Sequence, residues 1–196
     1  MVGLFVLFTN LQAQAKSGLE NYNLLGRGGS YNWMPVLNYE SQTGGYGEIR
    51  YNYEEQSTVS LFVGKKYKMK GEKDFTITPM LGISAGNFSG FSPALNTDAE
   101  LGAFFLSAQN QMSFSFSDQN KSFFFNWSEI GYTLFRGFNA GVAAQVTISG
   151  GETVFEPGFL VGAEWGKISI PVYFFRPFTP YGSVLIGIKV QPTLKG

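Results

Sequence analysis

Closely spaced acids and bases are the residues whose types and spacing could do chemistry in this sequence. Asp98 and Glu100 are separated by one residue, as are Glu48 and Arg50. Two carboxylates hydrolyse a glycosidic bond when they flank it from opposite sides of a cleft. Asp98 and Glu100 instead share one face of one predicted strand, so their spacing does not favour a glycosidase.

Histidine and cysteine are both absent from the 196 residues. The chain therefore lacks the usual general base near neutral pH, the Ser–His pair and thiolate nucleophiles. Gly26-Arg27-Gly28-Gly29 lacks the Lys-Ser/Thr and the helix of a phosphate-binding loop, and no carboxylates have the spacing of a calcium loop. The sequence predicts a protein that is not an enzyme and holds no metal or cofactor. A lipid-modifying enzyme that uses acids alone is the weakest alternative.

The elements that position these side chains show a two-residue rhythm. From 138 to 149 the even positions are apolar and the odd positions are small or polar, which is typical of a strand between two different environments. Segments of about ten residues repeat this rhythm between turn residues, as in transmembrane β-barrels. The predicted strands are 31–41, 45–54, 58–67, 74–85, 94–101, 104–116, 122–134, 138–149, 153–165, 167–175 and 182–190.

These strands predict an all-β fold, an antiparallel up-and-down transmembrane β-barrel. Bacterial single-chain barrels have even strand numbers, whereas the pattern yields eleven. We therefore expect about twelve strands, with the missing strand near Asn23, and ten as the alternative. Pro35, Pro79, Pro157 and Pro171 fall inside predicted strands, and we expect each at a bulge or near a rim.

The composition bounds the function. Charged residues make up 14 % and aromatic residues 17 % of the chain, and the net charge is zero. The charge balance gives no reason to expect a nucleic-acid partner. No run of about twenty apolar residues predicts a membrane helix. A soluble periplasmic or secreted barrel that binds an apolar ligand in its interior remains an alternative, with the two faces inverted.

The N-terminus resembles a secretory signal. Residues 2–11 are mostly apolar, and Ala13-Gln14-Ala15 matches a small-x-small cleavage site, although no Lys or Arg precedes Lys16. We expect residues 1–15 to be a truncated signal peptide and 16–196 to be a single barrel domain.

Charge assigns the two faces of each strand, because Arg near the bilayer midplane costs about 2–4 kcal/mol on the lipid side. Tyr and Trp favour the membrane interface. The predicted lumen-facing residues are Glu48, Arg50, Asn52, Glu54, Asp98, Glu100, Gln109, Gln111, Glu129, Gln145, Glu156 and Glu164. The predicted interface aromatics are Trp33, Tyr51, Tyr53, Tyr132, Trp165 and Tyr173. The lumen charges predict either a side-chain plug around Arg50 or a narrow pore that prefers cations.

Five segments resemble small uncharacterised outer-membrane β-barrel proteins of Bacteroidetes-type bacteria. They are 21–25, 28–40 (which includes Asn32-Trp33-Met34-Pro35), 48–54, 124–132 and 156–158. The resemblance implies a barrel fold and an outer-membrane location, and it provides no catalytic residues. We therefore expect a non-catalytic, porin-like outer-membrane protein with a structural or narrow-pore role. Its partners would be membrane lipid and possible passive solutes or ions.

Overall fold

The computed structural model describes residues 15–69, 74–118, 121–135 and 137–191. The expected signal peptide therefore lies almost entirely outside the described residues. Thirteen strands account for about three quarters of the described chain. They are β1 (Lys16–Gly26), β2 (Tyr31–Glu40), β3 (Gly45–Tyr51), β4 (Thr58–Lys65), β5 (Tyr67–Met69), β6 (Asp74–Gly86), β7 (Gly90–Leu101), β8 (Phe104–Ser115), β9 (Phe123–Phe135), β10 (Phe138–Ser149), β11 (Glu152–Trp165), β12 (Ile168–Phe175) and β13 (Ser183–Val190).

The sheet closes into a twelve-stranded antiparallel barrel. Each strand pairs with its neighbour in sequence, and β1 pairs with β13, with Leu19 opposite Val190. Both β4 and β5 pair with β6, so they form one barrel strand that is interrupted at Lys66. The prediction of twelve strands is confirmed, and β1 is the strand expected near Asn23. Closure leaves no sheet edge within the ring.

Two predicted boundaries were wrong. The predicted strand 94–101 begins four residues too late, because β7 begins at Gly90 and only 87–89 connect it to β6. The predicted strand 45–54 is too long, because β3 ends at Tyr51 and Asn52 has a φ of 57°. This left-handed conformation turns the chain out of the strand.

The four strand prolines lie where a hydrogen-bond ladder ends or is interrupted. Pro79 lies opposite the break between β4 and β5, and Pro171 lies in a gap of the β12–β13 ladder. Pro35 is one residue beyond the β2–β3 ladder, and Pro157 one residue beyond the β11–β12 ladder. Since proline has no N–H to donate, these are positions where it costs no ladder bond.

Alternate residues of each strand face the lumen or the outer wall. On β4, Thr58, Ser60 and Phe62 are buried inside, whereas Val59 and Leu61 are exposed outside. Inward glycines make room for rings in the lumen. A Cβ added at Gly82 would lie 2.4 Å from Cε1 of Phe62, and one added at Gly131 would lie 2.1 Å from Cζ of Phe105.

The two ends of the barrel differ in their connections. We call the end that carries Lys16 and Gln191 the terminal rim and the other end the distal rim. The connections 41–44, 102–103 and 166–167 lie at the terminal rim. The distal rim carries the short connections 27–30, 87–89 and 150–151 and also the longer 52–57 and 176–182. Residues 70–73, which follow β5 in the sequence, lie outside the described residues.

Candidate functional site

Arg50 is the centre of a buried ionic network in the middle of the lumen. Its Nε donates to Glu48, and its Nη1 donates to Gln111 Oε1 at 2.9 Å and to Glu54 Oε1 at 3.2 Å. Ser60 donates its hydroxyl to Glu54, and Tyr46 donates to Glu48 at 2.7 Å. Only 3 % of the Arg50 surface is exposed. Two carboxylates and one guanidinium leave this buried network with one net negative charge.

Two aromatic rings enclose the Arg50 guanidinium. Its Cζ lies 4.2 Å from the ring centroid of Phe62 and 4.7 Å from that of Tyr53, in the range of cation–π contacts. Tyr53 donates its hydroxyl to Gln109 at 2.7 Å. Burial raises the pKa of the Tyr53 phenol, so the hydroxyl keeps its proton and remains a donor.

An aromatic cluster fills the lumen beside this network. Trp127 packs against Tyr173 and Tyr22, with ring centroids 5.0 and 5.7 Å apart, and against Phe175 at 6.3 Å. Leu160 and Leu185 complete the buried cluster. The Arg50 network and this cluster together form a plug of side chains across the barrel, which we call the lumen plug.

A vestibule opens on the distal side of the lumen plug. Its volume is about 690 Å³. Aromatic rings and polar side chains share its wall, which includes Tyr53, Phe88, Phe123, Phe125, Glu54, Gln111, Thr147 and Ser149. The vestibule is therefore amphipathic, with Gln111 and Glu54 at its contact with the plug.

A second vestibule opens at the terminal rim. It consists of two adjoining cavities of about 670 and 540 Å³ that share Asp98, Glu100, Glu129 and Lys189. Lys189 lies 3.7 Å from Glu20. Asp98 and Glu129 accept hydroxyl hydrogen bonds, and within the described chain neither forms a salt bridge. The two cavities together are lined by six acids and five lysines, and three of the lysines (Lys66, Lys68 and Lys189) pair with Glu40 or Glu20. This vestibule shares no lining residue with the distal vestibule.

Most of the predicted lumen residues lie on the inner face. Glu48, Arg50, Glu54 and Gln111 belong to the lumen plug, and Asp98, Glu100, Gln109, Glu129 and Glu164 line the terminal vestibule. Gln145 and Glu156 have inward parity on β10 and β11, and Glu156 pairs with Arg176 at 2.6 Å.

Three site predictions were wrong. Asn52 is a turn residue rather than a lumen residue: its side-chain Oδ1 accepts from Ser57 N and its Nδ2 donates to Trp33 O. The same turn brings Tyr53 inside the barrel instead of to the membrane interface. Tyr173 also lies inside, 1 % exposed, with its hydroxyl on Glu129 at 3.0 Å. In a narrow lumen, aromatic rings occupy the inner face as well as the outer one.

The other four predicted aromatics are on the outer wall near the rims. Trp33 and Tyr51 lie at the distal end with their rings 6.3 Å apart, and Tyr132 and Trp165 lie near the terminal end. Phe62 and Tyr22 are plug residues that were not predicted from the sequence. Their parity with Ser60 and Glu20 is the signal that could have identified them.

The outer wall is apolar over most of its circumference. Leu37, Ile49, Leu81, Val142 and Phe159 are among many large apolar side chains exposed there. A soluble barrel would have its apolar side chains inside and its polar side chains outside. The arrangement in this barrel is the opposite. No helix in the described part of the chain has the length and apolarity to cross a bilayer, and the described acids form no group suited to a metal ion.

Comparisons with known proteins bear on the fold. Neither a known protein family nor a curated protein matches the sequence. The barrel is similar to the solved structure titled KdgM porin in complex with disordered oligogalacturonate, at a TM-score of 0.66 and 10 % identity over 88 % of this chain and 98 % of that one. It is also similar to the NanC porin, at a TM-score of 0.60 and 9 % identity over 91 % and 100 % of the two chains. These likenesses establish the porin-type barrel fold and do not test the bacterial group that the resemblance suggested.

Proposed function

We propose that the protein is an outer-membrane channel that passes small solutes or ions passively and is constricted by the lumen plug. One observation carries the proposal: a closed barrel with an apolar outer wall has a vestibule with polar lining at each end, and the two vestibules share no lining residue. The chemistry of the described residues gives no competing catalytic site. KdgM, one of the similar structures, is a porin crystallised with an oligogalacturonate.

The apolar wall and the rim aromatics support the membrane placement. Lipid-facing apolar residues with Trp and Tyr at both interfaces are the pattern of outer-membrane barrels. Such barrels have short periplasmic turns and longer extracellular loops. We therefore assign the terminal rim to the periplasm and the distal rim to the cell exterior.

The terminal vestibule supports a preference for cations. Asp98, Glu100, Glu129 and Glu164 line it and form no salt bridge within the described chain. Of the five lysines that line it, Lys66 and Lys68 pair with Glu40 and Lys189 with Glu20, which leaves Lys16 and Lys167 as the remaining bases. Rings of Asp and Glu in a pore favour cations over anions. A large anion would also meet the net negative charge of the Arg50 network.

Conductance in planar bilayers tests the channel. The wild type is expected to give small cation-selective currents, measured as a reversal potential in a salt gradient. Tyr53→Ala removes a plug ring from the 52–57 connection and should enlarge the conductance. The double variant Asp98→Asn, Glu100→Gln should lower cation selectivity, whereas Asp118→Asn, outside the vestibule linings, should leave it unchanged.

Membrane insertion is measured separately, by fractionation of the host and by the gel shift of unboiled protein. Folded, membrane-inserted protein that passes no current as wild type or as Tyr53→Ala would reject the channel and leave a structural barrel. Recovery as soluble protein without a gel shift would reject the membrane placement itself.

A further inference from the structure

A polar patch interrupts the apolar outer wall near mid-height on β8 and β9. It consists of Asn110, Asn126 and Ser128, which have outward parity and are half-buried. We call these three residues the amide patch. Asn110 and Asn126 are direct cross-strand partners, and Asn126 Nδ2 donates to Asn110 Oδ1 at 2.8 Å. Ser128 donates its hydroxyl to Asn126 Oδ1 at 3.0 Å.

These hydrogen bonds do not use the full capacity of the two amides. Each asparagine amide has two N–H donors and an acceptor oxygen. The remaining contacts of Asn110 Nδ2 and Asn126 Nδ2 are to backbone oxygens of Leu95 and Gln109, at 3.5 and 3.4 Å. Both are at the long limit for a hydrogen bond. A hydrocarbon environment offers no better partner, so the patch is poorly suited to contact with lipid chains.

The cross-strand neighbours of Ser128 are small, whereas Leu95 lies opposite Asn110 and Val146 lies opposite Asn126. Ser128 lies between Ala108 on β8 and Ala144 on β10. Thr97 on β7 lies opposite Ala108. Small and polar residues that allow close backbone approach mark protein contacts inside membranes. The part of the patch around Ser128 therefore allows close approach of another backbone.

We infer that the amide patch is the contact between two copies of this chain, related by a two-fold axis along the membrane normal. The inference rests on the proposed membrane placement. A two-fold contact requires a surface that complements itself. The patch is uncharged, and its amides carry both donors and acceptors, so each copy offers what the other needs. A charged partner would find no complementary charge on these three residues.

An apolar groove beside the amide patch fits the same arrangement. It has a volume of about 600 Å³, and its outward side chains include Ile130, Val142, Pro157, Phe159 and Phe178, with Ser128 and Ala144 at its border. A two-fold axis at β8–β9 places this β9–β11 groove of one copy against the β6–β7 wall of the other. That wall exposes Leu81 and Leu95, which are apolar side chains suited to the groove.

Single-cysteine crosslinking tests the contact, because the chain has no natural cysteine. Ser128→Cys is placed at the patch. Asn21→Cys is the matched control, since β1 is six strands from β8 in both directions around the ring and Asn21 also has outward parity. Membranes of the expressing host are treated with a short bifunctional maleimide, and the products are separated by mass.

Ser128→Cys should give a species of twice the chain mass, and Asn21→Cys should give only monomer. Adding Asn126→Leu to Ser128→Cys should abolish the dimer, whereas adding Asn21→Leu should not. Monomer alone from Ser128→Cys, equal crosslinking at both sites, or a dimer that survives Asn126→Leu would each overturn the inference. Monomer that retains lipid on this wall in native mass spectrometry would assign the patch to lipid instead.

The gel shift of unboiled protein separates the two proposals. Protein that shifts on boiling but does not crosslink leaves the membrane placement intact and rejects the dimer. Protein that is soluble and does not shift rejects the membrane placement on which the dimer rests.

Discussion

Replacing Arg50 with methionine is expected to destabilise the folded barrel by about 3–5 kcal/mol. This is the cost of removing one partner of a buried ion pair and leaving the other charge uncompensated. Arg50→Met leaves two such charges, because the side chains of Glu48 and Glu54 are only 8 % and 0 % exposed. Methionine retains most of the apolar volume between Phe62 and Tyr53, so the loss is mainly electrostatic.

A variant in which the two carboxylates are also changed separates the electrostatic part of the lost unfolding free energy from the packing part. The triple variant Arg50→Met, Glu48→Gln, Glu54→Gln removes every charge of the network. Its amides can still accept from Tyr46 and Ser60. We expect it to recover most of the lost free energy of unfolding, because replacing a whole buried ionic group by neutral residues is often nearly neutral.

Urea unfolding of protein refolded into lipid vesicles measures these differences, with tryptophan fluorescence as the signal. The free energy follows from the midpoint and the slope of the transition. A loss of unfolding free energy below about 1 kcal/mol for Arg50→Met would be typical of a solvent-exposed pair. It would refute the argument that the Arg50 network is buried away from water. A triple variant as unstable as the single one would instead attribute the loss to the cation–π contacts of Arg50.

Two further predictions test the lumen and the wall. Gly82→Ala should cost about 1–3 kcal/mol of unfolding free energy by overpacking, since its Cβ would overlap Phe62. Gly47→Ala, whose nearest atom would be 3.9 Å away, should be close to neutral, and equal effects in urea titration would contradict this packing. In single-tryptophan variants, brominated lipid should quench Trp33 and Trp165, which are 45 % and 58 % exposed, and spare Trp127 at 4 %; quenching of Trp127 would place it outside the lumen.

The sequence is sufficient to predict the barrel because the alternation of apolar and polar residues and the positions of the charged residues indicate the same inner face. Glu48, Arg50 and Gln111 each mark an inner face that the structure also gives. The strand near Asn23 required the even-number rule, because its glycine and asparagines hide the alternation. The strand break at Lys66 leaves no sequence signal except Pro79, which lies across from it.

The errors at Asn52, Tyr53 and Tyr173 have a common limit. Alternation along the sequence predicts which face of the sheet a side chain lies on only while the chain is extended. The chain stops being extended at Asn52, where φ is 57°. For Tyr173, the residue type did not predict the face, because an aromatic ring packs as well in a crowded lumen as at the membrane interface. The hydrogen bond from Arg50 to Gln111 joins residues 61 positions apart, and no local pattern predicts it.

The β3–β4 hairpin has a consequence for how the barrel is assembled. Glu48, Arg50, Glu54 and Ser60 all lie in this one hairpin and its connection. The cation therefore meets both of its counterions before any distant strand arrives. A hairpin that enters the bilayer with its charges already matched avoids exposing a lone guanidinium to hydrocarbon. The contact with Gln111 on β8 forms only when distant parts of the chain face each other across the lumen.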